Sequence, residues 1–440
     1  MLVEFKTRNY KTFVEEATLS MVSAPKQKGL DYSVRKINVG RKKLGILPTG
    51  VIYGTNAAGK SNIISALDTL KAIVERGNIN NSNSQNIDFA TSNLELIPNS
   101  ETKNVPTEFD IKFYINKKLI EYIIKLDIGE FLKNDAKRKV IFEKLSVNNN
   151  AIFERDNEIL LTEDPKSLKY FDESVTEEKI QIANNSLNDT DLFLCNGFRL
   201  IFAKTIVGEI TDWFKNKLFI LFRSDAMQLI KRFDNVSELT IFLDKATLLI
   251  NNIVGHNCNK LAYLKGENDK DTKLVSILPI NGQNVVLDSE VFESFGTLRL
   301  VNIFPIILRA MQEGTTLVID EFDTSIHPMA IAEIINIFHN DDINTKFAQL
   351  VFNTHNPIFL NKNLFRRDEI KFIERDNETL RSEIYSLSDF GTGKDIGVRK
   401  NEDYLRNYIN SKYGAIKEFD FTPIFKTAGG GDADEEKNNQ

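Results

Sequence analysis

The octapeptide GTNAAGKS, Gly54 to Ser61, decides how the rest of the chain is read. It fits GxxxxGK[ST] at every fixed position. Gly54 and Gly59 let backbone N–H groups turn inward around phosphates where a Cβ would not fit, and Asn56, Ala57 and Ala58 form the loop between them. Lys60 supplies a point charge to the β/γ oxygens, and the Ser61 hydroxyl coordinates magnesium. The surroundings agree. GVIYG (50–54) is an apolar strand, and Ile63, Ile64, Leu67, Leu70, Ile73 and Val74 recur at helical spacing, so the loop opens a helix.

A phosphate loop needs a strand ending in a carboxylate. The best candidate is TLVIDEFD at 316–323, on the far side of the chain's long middle. Asp320 is placed to hold magnesium, and Glu321 to polarise an attacking water, a general-base role that requires a carboxylate near the γ-phosphate. One strand later, VFNTHNP ends on His355, suited to donate to the γ-phosphate and register its presence. His327, before Pro328, fits a turn, and His256 and His339 fit structural roles. ESFGTLRL (293–300) immediately precedes a helix. Ser294 and Gly296 offer a hydroxyl and a bare backbone for an anion there, while a plain N-cap by Ser294 or Thr297 explains the same residues. No His/Cys/Asp spacing matches a protein metal cage.

Composition bounds the classes. The 440 residues are 42% hydrophobic and 27% charged, enough for two or three packed units. No run of about 18 apolar residues suggests a membrane span, and the first residues lack a secretory pattern. Cys195 and Cys258 lie far apart without CxxC spacing, which points to the reducing cytoplasm. A net charge of −6 argues against indiscriminate coating of nucleic acid, although a local basic stripe stays open.

Residues 2–5 and 17–22 read as strands, and 77–86 as a polar connector. Two hairpins are expected, from EFDIKFYI across NKK to Ile128, and from VIFEKLSV across Asn148–Asn150 to AIFER. Phe198, Phe202, Val207, Ile210, Trp213 and Phe214 outline one amphipathic helix; Leu239, Phe242, Ala246, Leu249 and Ile253 outline another. Strand and helix alternate again from about 297 to 390. YLRNYINSKYGAI (404–416) places Tyr404, Leu405, Tyr408 and Ile409 on one face of a docking or partner helix, and GGGDADEEKNNQ is an acidic, disordered tail.

These pieces, in this order, resemble the ATP-binding-cassette ATPases: Walker A, a signature shaped like SxG, Walker B with its glutamate, and a switch histidine. The soluble branch, with its structural-maintenance-of-chromosomes proteins and recombination ATPases, likewise interrupts one head with a long insertion. The resemblance implies an α/β fold, an ABC-type P-loop ATPase head with N-terminal β-strands and a mixed α+β and helical insertion between Walker A and the signature. The expected units are a head lobe over 1–76, an inserted lid or arm over 77–290, a second lobe over 291–390, a docking segment over 391–427 and a tail over 428–440.

The same resemblance implies ATP and Mg2+ as ligands, and a homo-oligomer in which ATP is sandwiched between heads. Ser294 and Gly296 of one protomer would close on the nucleotide of another, and FDTSIHP would cross that interface at Asp323. NYKTF at 9–13 is similar to the NFRSF of the soluble branch, which carries nucleotide contacts onto Lys11 and Thr12. Phe295 departs from the small or polar residue usual in the signature. More narrowly, DEFDTSIHP, FNTHNP and VRKNEDYLRNYINSKYGAI resemble the bacterial AAA/ABC-hybrid ATPases of the abortive-infection AbiL and RloA type. The PARIS and overcoming-lysogenization-defect ATPases are close in design. That resemblance implies an anti-phage sensor ATPase beside a nuclease-type effector, responding to a phage-derived trigger. The alternative is a DNA-maintenance ATPase.

Overall fold

The computed structural model describes residues 1–80, 94–130, 138–222 and 272–428 apart from positions 26, 28, 41, 103, 157, 392–396, 400–401 and 418–419, together with 240–242, 248–250, 253 and 260–265. The N-terminal runs form β1 (Leu2–Arg8) and β2 (Ala17–Ser20). A two-stranded ribbon follows, β3 (Arg35–Val39) and β4 (Lys42–Ile46). The apolar run before the octapeptide is β5 (Thr49–Tyr53), buried at every residue. The loop then opens α1 (Lys60–Arg76), which ends at Gly77 in the left-handed conformation that glycine adopts without penalty.

The expected hairpins are present as β6 (Thr107–Ile115) with β7 (Lys118–Asp127), and β8 (Lys139–Val147) with β9 (Asn150–Arg155). Asn116–Lys117 and Asn148–Asn149 all have positive φ, 47°, 62°, 51° and 66°. Such two-residue turns twist with the strands they join. With β10 (Ile159–Leu161) these strands extend the N-terminal pair into one seven-stranded antiparallel sheet, β10-β9-β8-β7-β6-β1-β2. The first part of the insertion is thus built onto the head.

The single helix expected over 198–214 is instead two pieces. A wide turn at Leu194–Phe198 runs into Arg199–Ile201, the chain breaks at Phe202 and Ala203, and α2 (Lys204–Asp212) restarts it. The break frees the Phe202 carbonyl, which accepts from the N–H groups of Asp172 and Glu173 at 2.8 and 3.2 Å. The apolar spacing survives because both pieces face the same core, where Trp213 stacks on Phe113 with ring centroids 4.0 Å apart.

β11 (Leu218–Leu221) comes next. The second expected helix, over 239–253, is corrected in its first part, while residues 248–250 and 253 are helical as expected and Leu239 lies outside the described residues. Thr240–Phe242 is a strand, β12, at the edge of a four-stranded antiparallel sheet with β13 (Lys260–Lys265), β14 (Thr272–Ile280) and β15 (Gln283–Asp288). Pairing with β13 overrides a short apolar spacing that fits either period. Ala246 lies outside the described residues, as does most of the polar connector at 77–86.

The C-terminal part alternates as expected: α3 (Phe295–Glu313), β16 (Thr316–Ile319), α4 (Pro328–His339), β17 (Gln349–Asn353), β18 (Ile370–Arg375) and β19 (Ser382–Ser386). The central sheet is six-stranded, in the order β11-β16-β17-β5-β18-β19, parallel except for β19. Both faces are covered. Ile52, Val318, Val351 and Ile373 point to α1 and the seven-stranded sheet, whereas Val51, Tyr53, Leu317, Ile319, Leu350, Phe352 and Phe372 point to α3, α4 and α5 (Tyr404–Ile409). Continuous apolar strands are what a sheet buried on both faces requires. In α5, Tyr404 and Tyr408 are buried, whereas Ile409, expected on the same face, is 58% exposed.

Candidate nucleotide site

The separation of the octapeptide from the carboxylates in sequence disappears in the sheet. β5 and β16 run parallel with only β17 between them, so the loop after β5 and Asp320 after β16 emerge at the same edge. That edge, the carboxyl ends of parallel strands, is where α/β sheets place their ligands.

Glycine is required at both ends of the loop. A Cβ on Gly54 would lie 2.4 Å from the Ile373 carbonyl oxygen. Gly59 has φ +111°, and a Cβ there would lie 2.9 Å from the Ser382 and Thr12 hydroxyls. Asn56 and Ala57 are exposed, while Ala58 is buried and its carbonyl accepts from Ser382 Oγ at 2.6 Å. Ala57 itself sits at φ 62°. Behind the loop lies α1, whose first-turn N–H groups form an anion-binding end.

The Lys60 ammonium folds back onto the loop, donating to the carbonyls of Gly54 and Thr55 at 2.9 and 2.8 Å. Burial lowers its pKa to about 8, against the opposing pull of Glu321, Asp320 and Asp323. His355 follows β17, with Nδ1 at 3.5 Å from Lys60 Nζ. Its pKa is lowered by burial and then by the Lys60 charge. Asp323 pulls on both groups, which places it at the same edge.

The carboxylates are tied to the loop by a chain of hydrogen bonds. Ser61 Oγ donates to Asp320 Oδ1 at 2.8 Å. Asn353 Nδ2 donates to the same oxygen, and Asn353 Oδ1 accepts from the Glu321 N–H. The Glu321 carbonyl accepts from Arg299 Nη2 at 2.6 Å, and Glu321 holds φ 51°. A hydroxyl and a carboxylate, both hard oxygen donors, fit Mg2+, and the bare glycine backbone fits phosphate. Among the described residues no group of three or more His, Cys, Asp or Glu side chains could hold a metal ion on its own.

Thr12 reaches the loop. Its hydroxyl accepts from Asn62 Nδ2 at 2.9 Å and borders Gly59. The Lys11 ammonium is instead directed to Glu95 and Ser65, both at 2.7 Å. Ser294 caps α3, accepting from the Thr297 N–H at 3.1 Å. Gly296 packs against the next loop, since a Cβ there would lie 2.3 Å from the Ser325 carbonyl oxygen. His327 caps α4 through Nδ1, and His339 is buried between Glu369 and Thr49. Cys195 is a half-buried thiol whose pKa desolvation pushes up to about 12. His256 and Cys258 lie outside the described residues.

Asn353, Arg299 and Ser382 take part without having been singled out in the sequence. Only Asn353 left a signal, an amide closing the apolar run Leu350–Phe352. The other two come from elements whose proximity to the loop arises only in the fold.

No helix among the described residues is long and apolar enough to cross a membrane. A comparison with curated proteins returns no match. Among solved structures the chain is similar to the SMC head domain from Thermotoga maritima, with 13% identity, a TM-score of 0.36, and coverage of 88% of this chain and 98% of that one. Residues 51–361, which include the octapeptide, Asp320 and His355, match the family described as "AAA domain, putative AbiEii toxin, Type IV TA system". That match spans well over half of the sequence, and the chain therefore belongs to this family of P-loop ATPases.

Proposed function

We propose that this edge of the sheet hydrolyses ATP to ADP and phosphate in the manner of an ABC-type head. The hydrogen-bond chain from Ser61 through Asp320 and Asn353 to Glu321 carries the reading. The loop N–H groups and Lys60 bind and orient the phosphates, with the ammonium leaving its two carbonyls for phosphate oxygens. Ser61, and Asp320 through the water shell, would hold Mg2+, which would supply charge neutralisation at the phosphate oxygens. Glu321 takes a proton from the attacking water as its oxygen bonds to the γ-phosphorus and the bond to the β–γ bridging oxygen breaks, releasing ADP. A neutral His355 donates to the γ-phosphate, and its lowered pKa favours that form.

Beyond one chain, the reading is a head dimer in which Ser294 and Gly296 act on the partner's nucleotide. Phe295 and Val291, 82% and 87% exposed beside Ser294, give that surface an apolar rim suited to burial. The family's description names a toxin of a toxin–antitoxin system, which favours a defence role: a cytoplasmic sensor ATPase that holds or releases a toxic nuclease-type effector in answer to a phage-derived trigger.

Phosphate release by the wild type, Lys60→Ala and Glu321→Gln tests the chemistry. Lys60→Ala is expected to lose nucleotide binding, and Glu321→Gln to bind ATP and stall. Wild-type turnover by Glu321→Gln removes the assignment of the base. The stalled protein, captured from its host with ATP, tests the partner: a stoichiometric nuclease-like protein supports the defence reading. Stoichiometric DNA without a protein promotes a DNA-maintenance ATPase.

A further inference from the structure

We propose that Arg299 is a positioning residue, which sets Glu321 for turnover by clamping the loop after β16 to the start of α3. The proposal rests on the ATPase reading above for the role of Glu321.

Between Glu321 and Ser325 the chain makes a tight loop in which both end residues have positive φ, 51° and 63°. An L residue keeps that conformation only where its surroundings over-determine it. Both surroundings come from α3. The Glu321 carbonyl accepts from Arg299 Nη2 at 2.6 Å. The Ser325 carbonyl lies against Gly296, where a Cβ would be 2.3 Å from the oxygen. The first turns of α3 thus contact the two left-handed residues at their carbonyls. From the other side Asn353, on β17, accepts the Glu321 N–H.

Glu321 is therefore pinned through the peptide groups on both sides of its Cα, by Asn353 on one side and Arg299 on the other. Neither residue's bond is to the Glu321 carboxylate, which stays available for water. Arg299 is only 9% exposed. A guanidinium is costly to bury, and a residue needed only to fill space beside α3 would not carry that charge. The bond from this buried guanidinium to the Glu321 carbonyl holds that peptide group in place. The same helix begins at Ser294, so a contact made there bears on the Glu321 backbone within two turns.

The test uses the full chain, with nucleotide affinity and single-turnover hydrolysis measured separately. Arg299→Met keeps the volume and removes the donors. We expect about a 10²-fold fall in kcat, the scale of a misplacement near 1 Å, with ATP affinity within twofold of wild type, and partial recovery in Arg299→Lys. In a Glu321→Gln background Arg299→Met should add no further loss, because the two residues act as one unit. A multiplicative further loss, or wild-type kcat in Arg299→Met, overturns the clamp. If Glu321→Gln alone turns over normally, the assignment of the base has failed instead. Should Arg299→Met not bind nucleotide, Arg299→Lys decides: at least a fivefold loss of kcat at unchanged affinity supports the clamp, and wild-type kcat overturns it.

Discussion

Lys60 stands between two sets of oxygens. In the chain alone its ammonium is held by two loop carbonyls, and burial leaves its pKa at about 8. Phosphate oxygens would favour the charged form and raise that value. The sign follows: below about pH 8 the free site is already protonated and affinity should be nearly flat. Above it, binding must take up a proton, so affinity should fall, by up to about tenfold per pH unit, until the bound pKa is reached. Calorimetry at pH 7 and 9, in buffers of different ionisation enthalpy, should show proton uptake only at the higher pH. Asn353 makes a second residue-scale case. It is fully buried, and both ends of its amide are used, one on Asp320 and one on Glu321. Asn353→Leu should lower kcat by one to two orders of magnitude and lower stability by about 1–3 kcal/mol for the polar groups left unpaired. Phosphate release and urea unfolding of the same preparation would show both.

At the scale of elements, Glu143 joins a strand to a helical segment. It lies on the apolar face of β8, fully buried, and accepts from the N–H groups of Phe193 and Leu194, both at 2.7 Å, and from the Tyr122 hydroxyl at 2.9 Å. Burial raises its pKa, so the folded state binds the proton more tightly than the unfolded chain. Stability from this group is fully present below the unfolded value and declines as pH rises through the folded one. Glu143→Gln keeps one acceptor oxygen and turns the other into a donor facing an N–H. It should shift the urea midpoint down by the equivalent of about 1–3 kcal/mol without changing the slope, and leave ATP turnover intact. The elements also show what could be read in advance. Hairpins were legible because alternation and two-residue asparagine turns are local. The break at Phe202–Ala203 was not, because its cause is a carbonyl shared with residues 172–173. Nor was β12, whose short apolar spacing is decided by a partner strand 20-odd residues away. In the site, the loop, Asp320, Glu321 and His355 were legible from their own spacing along the chain. Arg299 and Ser382 join it only once α3 and β19 have packed.

For the whole molecule, the question is whether one head is a complete site. Lys60, Asp320, Glu321 and His355 converge within one chain, but Ser294 spends its hydrogen bonds on its own helix turn with Thr297, and Gly296 packs closely against the Ser325 carbonyl. A cap alone and a cap that also meets a partner's phosphate predict different behaviour for Ser294. As a cap alone, Ser294→Ala should cost about 1 kcal/mol of stability and leave turnover near wild type. As part of a sandwiched site, Ser294→Arg should abolish turnover while leaving ATP affinity of the single chain in place. The apolar rim sharpens the distinction, because Phe295 and Val291 are exposed in the single chain and the proposed dimer would bury them. With the stalled Glu321→Gln protein, light scattering after size exclusion should give a dimer with Mg-ATP and a monomer with ADP. Adding Phe295→Asp should return the ATP-bound form to monomer, since a desolvated carboxylate without a partner opposes closure. If mass stays monomeric with Mg-ATP across micromolar concentrations while Glu321→Gln binds nucleotide fully, the head works alone, and Ser294 is a helix cap and nothing more.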